Sequence, residues 1–168
     1  MGRRGLIETT RWALLRYAPR VFLNLCRPDD AELGAAGEEL AARHLAARGW
    51  RILGRRVATA EAELDLVCAV AGQVVCVEVK TARIPIRGGP EARRWRPGER
   101  LDARRLARQR RSARRLAGTS GRAHGEGLPA GRVDLFEVWI PARGPVQFHH
   151  HADLRRPLEH GTPRRDRG

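Results

Sequence analysis

An α/β domain is what this sequence predicts, on three observations. A capped, apolar-periodic segment opens near residue 29 and stops at Gly49. Two Val-rich runs, 63–70 and 74–80, follow with Ala71-Gly72 between them. An arginine-rich helical segment over 99–117 then precedes another strand-like run at 132–140. Helices alternating with short buried-type strands in one chain of this length predict a sheet with helices packed on it.

Residues 1–28 form a basic amphipathic N-terminal extension, in which Arg3, Arg4, Arg11, Arg16 and Arg20 alternate with Leu, Trp, Tyr and Phe. The segment suits an accessory helix lying on the domain, the preferred reading, or a peripheral contact with a membrane surface. The domain proper is expected over 29–158. Its first helix starts after Asp29 or Asp30, and Asp29 with Glu32 has capping-box spacing. Leu33, Leu40, His44 and Ala47 fall close to one face, Gly34 and Gly37 permit a close neighbour, and Gly49 suits a left-handed helix end. A short strand is expected at 50–53.

The runs 63–70 and 74–80 are too Val-rich and too short for helices, and the two residues between them make a hairpin the simplest connection. Residues 83–98, rich in Arg, Gly and Pro, read as a mobile basic loop. The second helix, 99–117, has an apolar stripe of Leu101, Leu106, Ala113 and Leu116, with Gly118 as its stop. A Gly-rich loop over 118–131, a strand at 132–140, a turn at 141–145 and a last strand at 146–148 complete the domain. Residues 159–168 read as a disordered tail.

Composition narrows the function. Among 168 residues, 33 are Lys or Arg against 19 Asp or Glu, a net charge of +14, and the pI is near 11.5. Such a surface seeks a polyanion, nucleic acid first and an anionic membrane second. Cys26, Cys68 and Cys76 are odd in number and lack C-x-x-C spacing, which argues against a disulfide framework or a zinc site and fits a cytoplasmic setting. The apolar stretch 6–25 is broken by three arginines and does not qualify as a membrane span. No Ser-His-Asp arrangement, P-loop or dinucleotide-binding glycine pattern is present. The run His149-His150-His151 lies on a strand, where neighbours point to alternate faces, and reads as a surface run rather than a ligand set. Trp95, among arginines, suits either a base-stacking contact or a loop anchor.

The chemistry concentrates in the hairpin. A turn centred between residues 71 and 72 sets Asp65 opposite Glu78 and Glu63 opposite Lys80. Side chains two apart along a strand share a face, so four ionisable groups are expected on one side of the sheet. Facing carboxylates repel unless a proton or a cation lies between them. Mg²⁺ or Mn²⁺ answers that need with oxygen ligands, and can polarise a phosphodiester and activate water. Lys80 is the only lysine in the chain; every other basic residue is arginine. A compact ammonium is not interchangeable with a planar guanidinium, so its retention two residues after Glu78 points to chemistry rather than bulk charge.

At these residues the sequence resembles a known family. Gly34-Ala35-Ala36-Gly37-Glu38, then Ala62-Glu63-Leu64-Asp65-Leu66-Val67, then Val77-Glu78-Val79-Lys80-Thr81 are similar to the motifs of the YraN family of bacterial proteins. That family is related to archaeal Holliday-junction resolvases and to the PD-(D/E)XK nuclease fold. The resemblance covers roughly 31–150 and implies an α/β fold with a central mixed β-sheet flanked by helices, restriction-endonuclease-like. It implies catalytic roles for Asp65, Glu78 and Lys80, with Glu38 as a helix-borne acid that completes the metal ligands Asp65 and Glu78. Glu63 matches the family's Gly-Glu-Ile-Asp pattern and is expected to orient Lys80. Two departures stand out: Ala62 replaces the usual Gly, and arginines replace a lysine common near the start of the second helix.

The sequence therefore predicts an Mg²⁺- or Mn²⁺-dependent endonuclease on DNA, with branched or structured DNA as the substrate that the family relationship implies. The alternative is a non-catalytic nucleic-acid-binding protein that keeps the fold. Arg104, Arg108, Arg111 and Arg115 are expected to track phosphates. A homodimer stays open.

Overall fold

The computed structural model describes residues 3–84, 98, 101–124 and 132–157. The order is α1 (Arg3–Tyr17), α2 (Pro19–Leu25), α3 (Asp30–Ala46), β1 (Arg51–Ala58), β2 (Glu63–Val70), β3 (Gln73–Ile84), α4 (Ala103–His124), β4 (Arg132–Pro141) and β5 (Gln147–His151). The five strands form one sheet in the order β1-β2-β3-β4-β5. All neighbouring pairs are antiparallel except β3 and β4, which run parallel. A parallel pair needs a long crossover, and α4 supplies it. The fold is thus α/β, with a mixed sheet flanked by helices, as expected.

Helix α3 begins on the capping box read from the sequence: the Asp29 carboxylate accepts the Glu32 N–H at 2.8 Å, and Glu32 accepts the Asp29 N–H at 3.1 Å. Beyond its end Gly49 takes φ +83°, a conformation that costs glycine little. The buried face only partly matches the expected one. It is Ala36, Gly37, Leu40, Ala41, Ala42 and Leu45, while Ala47 is the exposed C-cap. Gly37 rather than Gly34 makes the close approach. A Cβ at Gly37 would overlap the Thr81 hydroxyl of β3, whereas one at Gly34 would meet nothing. Glycine at 37 therefore sets how near α3, and Glu38 with it, lies to β3.

The β2–β3 hairpin turns on Ala71 (φ +47°) and Gly72 (φ +72°), both left-handed. That is the two-residue turn whose twist suits antiparallel strands. It fixes the register Val70↔Gln73 through Leu66↔Val77. The first strand runs to Ala58, past the expected end at residue 53, because it pairs along β2 as an edge strand with a bulge between Ile52 and Gly54. Strand β3 continues to Ile84 because β4 pairs with it that far.

Two cores sandwich the sheet. On one face Leu15, Phe22, Leu40 and Leu45 cover Leu66, Val77, Val79 and Phe136. On the other, Leu106, Ala113 and Ala117 of α4 cover Val67, Cys76 and Leu135. Helices α1 and α2 are packed onto the domain: Arg11 forks onto Glu32 at 2.5 and 2.7 Å, reaches the Arg27 carbonyl at 3.0 Å and lies over the Phe22 ring. Gly118 does not stop α4, which continues to His124. One glycine costs a helix only about 1 kcal/mol, which leaves it a weak terminator. Cys68 and Cys76 are buried and unpaired, and burial pushes both thiols up to about 12. Trp95, most of the basic loop, the end of the Gly-rich loop and the 159–168 tail lie outside the described residues.

Candidate active site

The site lies where β2 and β3 diverge. Their ladder ends at Leu66↔Val77. One step further Asp65 turns its carboxylate into the gap, and Oδ2 accepts the Val79 N–H at 2.8 Å. A buried N–H must find an acceptor, and here a side chain replaces the neighbouring strand's carbonyl. Asp65 and Glu78 are thus brought together, but across a divergence of the strands rather than as a ladder pair.

The expected Glu63–Lys80 pair is not formed. The Lys80 ammonium donates to Glu78 Oε1, while Glu63 pairs with Arg56 at 3.3 Å and is half exposed. Glu63 stands opposite Ala58 of β1, which draws it toward the outer strand. It still lines the same cavity of about 560 Å³ as Glu38, Asp65, Lys80, Thr81 and Arg105. Glu38 reaches this cavity from α3, on the far side of the sheet from α4.

Glu78 does not line this cavity: its side chain is fully buried beneath Lys80 and the start of α4. Its Oε1 also takes Arg105 Nη2 at 2.9 Å, and its Oε2 accepts from Gln109 Nε2. Sequence reasoning missed both α4 partners. Arg105 stands in the first turn of α4. Gln109 and Ser112 are the only uncharged polar residues among positions 103–117 and sit one turn apart on the buried side. That was the available signal. Gln109 Oε1 and Thr81 Oγ1 are buried without a hydrogen-bond partner.

The electrostatics follow from this crowding. Burial and then the Glu78 charge push the Asp65 carboxyl up to about 7, against the pull of the Val79 N–H and Lys80. Burial also raises Glu38, with Arg56 opposing and the Glu63 and Glu78 charges adding to the rise. These are hard oxygen donors held together against their repulsion, the chemistry that suits Mg²⁺ or Mn²⁺. Among the described residues no three His, Cys, Asp or Glu side chains converge as a ready-made cage. Mg²⁺ does not need one, because it keeps several waters beside one or two carboxylates. The donor set therefore fits such an ion, with Glu78 required to turn from its cationic partners.

The arginine stripe is placed as follows. Arg104, Arg108, Arg111 and Arg115 are all exposed on α4. Glu61, from the β1–β2 turn, pairs with Arg111 and lies 3.1 Å from Arg115. An acid from outside the helix thus offsets half the stripe. The histidine run lies on β5, where His150 meets buried Asp134 at 2.7 Å and His151 meets buried Glu137 at 3.3 Å. Burial alone would raise Asp134, but hydrogen bonds from His150, Arg132 and the Asp153 N–H hold it low. No described helix is long and apolar enough to cross a membrane.

Comparison with known proteins places this arrangement in a family. The model of "Uncharacterised protein family UPF0102" matches residues 37–138, from Gly37 through the site to β4. A UPF0102 protein of Frankia casuarinae is 41% identical over 124 residues, 74% of this chain and 95% of that protein. A UPF0102 protein of Syntrophomonas wolfei is 50% identical over 62 residues, 37% of this chain, and the match spans about half of that protein (54%). The solved structure of Pyrococcus furiosus SfsA in complex with Ca²⁺ aligns over 73% of this chain and 64% of that chain, at 15% identity and a TM-score of 0.33. A likeness that small bears on neither fold nor function. The family match and the full-length relative bear out the resemblance read from the motifs: the chain belongs to the UPF0102 family, the YraN family.

Proposed function

We propose that this protein is a metal-dependent endonuclease that hydrolyses phosphodiester bonds in DNA, acting on branched or otherwise structured DNA in the cytoplasm. The observation that carries the reading is the meeting of Glu38, Asp65 and the sole lysine around one cavity where β2 and β3 diverge, with buried Glu78 held directly by that lysine. Asp65, Glu78 and Glu38 are the proposed donors to Mg²⁺ or Mn²⁺. When bound, such an ion polarises a phosphodiester and lowers the pKa of a water. Asp65, fixed by the Val79 N–H, presents its second oxygen from a set position. Glu78 would hold the ion by turning from Lys80, Arg105 and Gln109, and the two cations would then be available to neutralise charge on phosphoryl oxygens. Glu78 is fully buried and the Lys80 side chain only 17% exposed, which limits how far bulk water screens that pair.

A second reading has its own support. Lys80, Arg105 and Gln109 already occupy both oxygens of Glu78, a neutralised network that needs no metal. It suits a non-catalytic nucleic-acid-binding protein on the same fold. Incubation with linear, flapped and four-way DNA, with Mg²⁺, Mn²⁺ or chelator, separates the two. Metal-dependent cleavage of a structured substrate is expected; intact DNA throughout, despite tight binding, favours the second reading.

DNA binding itself is assigned to the α4 stripe. Changing Arg104, Arg108, Arg111 and Arg115 to Gln should weaken binding to all duplex sequences alike. It should also flatten the dependence of log affinity on log salt by about 0.9 for each phosphate no longer neutralised. Arg111 and Arg115 lean on Glu61, so the Arg104→Gln/Arg108→Gln pair should produce most of the change. An unaltered slope in the fourfold variant would remove α4 from the interface.

A further inference from the structure

A second cavity of about 470 Å³ adjoins the candidate site, and Glu38 lines both. Trp12, Arg16 and Tyr17 of α1 form one wall, and Arg55 and Arg56 of β1 the other. The two aromatics are left in water: Trp12 is 52% exposed and Tyr17 73%. Their helix is firmly seated all the same. Leu15 is in the core, Arg11 is forked onto Glu32, and Arg43 donates to the Arg16 carbonyl at 2.6 Å. Fixed aromatic surface facing a recess, rather than a loose tail, calls for an occupant.

Charge and size define that occupant. Three arginines face two acids, and Arg55 is held by Glu39 at 2.5 Å. Arg56 pairs with Glu63 at 3.3 Å at an exposed position and also acts on Glu38 by charge alone; the exposed pair gives way to an anion at small cost. The volume is within the range for small-ligand sites. An aromatic wall opposite arginines is the chemistry that holds a base by its face and a phosphate by its charge. Paired bases are stacked on one another and cannot present a face to such a wall, whereas unpaired ones can.

We propose that the groove between α1 and β1 is a subsite for an unpaired nucleotide of the substrate strand, its base against Trp12 or Tyr17 and its phosphate against Arg16 and Arg56. The subsite rests on the endonuclease reading for its place beside the scissile phosphate, and its α1 wall lies before the segment matched by the family model. It names the substrate class as DNA with a single-stranded portion next to the cut.

The test measures binding, with chelator present, so that it does not depend on cleavage. Full-length wild type and the Trp12→Ala/Tyr17→Ala variant are titrated into labelled oligothymidylate and into a duplex of the same length. The variant should lose about tenfold or more in single-strand affinity, as expected for removal of a base–aromatic stack, while duplex affinity stays put. Trp12→Phe, which keeps a stacking face, should restore most of the loss when Tyr17 is retained, and a matching thermal melt shows that the fold persists. Unchanged single-strand affinity in a folded double variant overturns the subsite. So does loss of binding to phosphatidylglycerol vesicles with oligothymidylate affinity unaltered, which would give this face to a membrane. Failure of the wild type to cut any DNA, with the single-strand defect present, would overturn the endonuclease reading and leave the nucleotide subsite supported.

Discussion

Lys80→Arg is expected to lower metal-dependent DNA cleavage about 10²–10³-fold, the usual effect of removing one well-placed transition-state donor. Fold and DNA affinity should persist. The ammonium sits on buried Glu78 with only 17% of its side chain exposed, in a cavity that already holds the guanidinium of Arg105 against the same oxygen. A second planar fork keeps the charge but not the size or the point-like geometry. Single-turnover cleavage of a structured DNA by the two proteins, with melting curves alongside, checks this. Near-wild-type rates from a folded Lys80→Arg protein would reduce Lys80 to a generic charge.

Without metal, Asp65→Asn should stabilise the protein at neutral pH. The Asp65 carboxyl is raised from 3.8 to about 7 by burial and by Glu78. A group raised on folding contributes stability below its unfolded value and loses that contribution as pH climbs through its folded value. The gap between wild type and variant should thus be near zero at about pH 4 and open steadily toward pH 7. There it should reach about 4 kcal/mol in favour of asparagine. Asparagine still offers an oxygen to the Val79 N–H, so the comparison isolates charge. Denaturant melts across this window in chelator measure the gap. A constant difference, or a variant that is less stable at pH 7, would show that Asp65 carries no such strain. Added Mg²⁺ should reverse the order by stabilising only the wild type.

Local chemistry was legible in the chain, and its limits were set by distance. The Asp29–Glu32 cap and the Ala71-Gly72 turn are decided by residues within a few positions, and both formed as expected. The turn carried the register correctly as far as Leu66↔Val77. It could not say that the strands diverge immediately beyond that pair, because the divergence depends on a side chain taking a backbone N–H across the gap. The partners of Glu78 were hidden for the same reason: Arg105 and Gln109 lie a whole crossover away. Glu61, remote from α4 in sequence, tempers an arginine stripe that the helix alone leaves unopposed. The buried acids Asp134 and Glu137 lie in an apolar run with no local mark of the histidines that meet them on β5. In each case periodicity reports the face of a residue but not what another element brings to it.

The central claim, that Asp65 and Glu78 hold a divalent ion, is tested most directly by calorimetric titration. Mg²⁺ and Mn²⁺ are titrated into the wild type and into the Asp65→Asn/Glu78→Gln variant at pH 7, in two buffers of different ionisation heat. The wild type should bind one ion and release protons as it does so, because Asp65 must give up its proton to ligate. The variant should bind none at that site. Equal binding by both proteins, with the same heat in both buffers, would contradict the account.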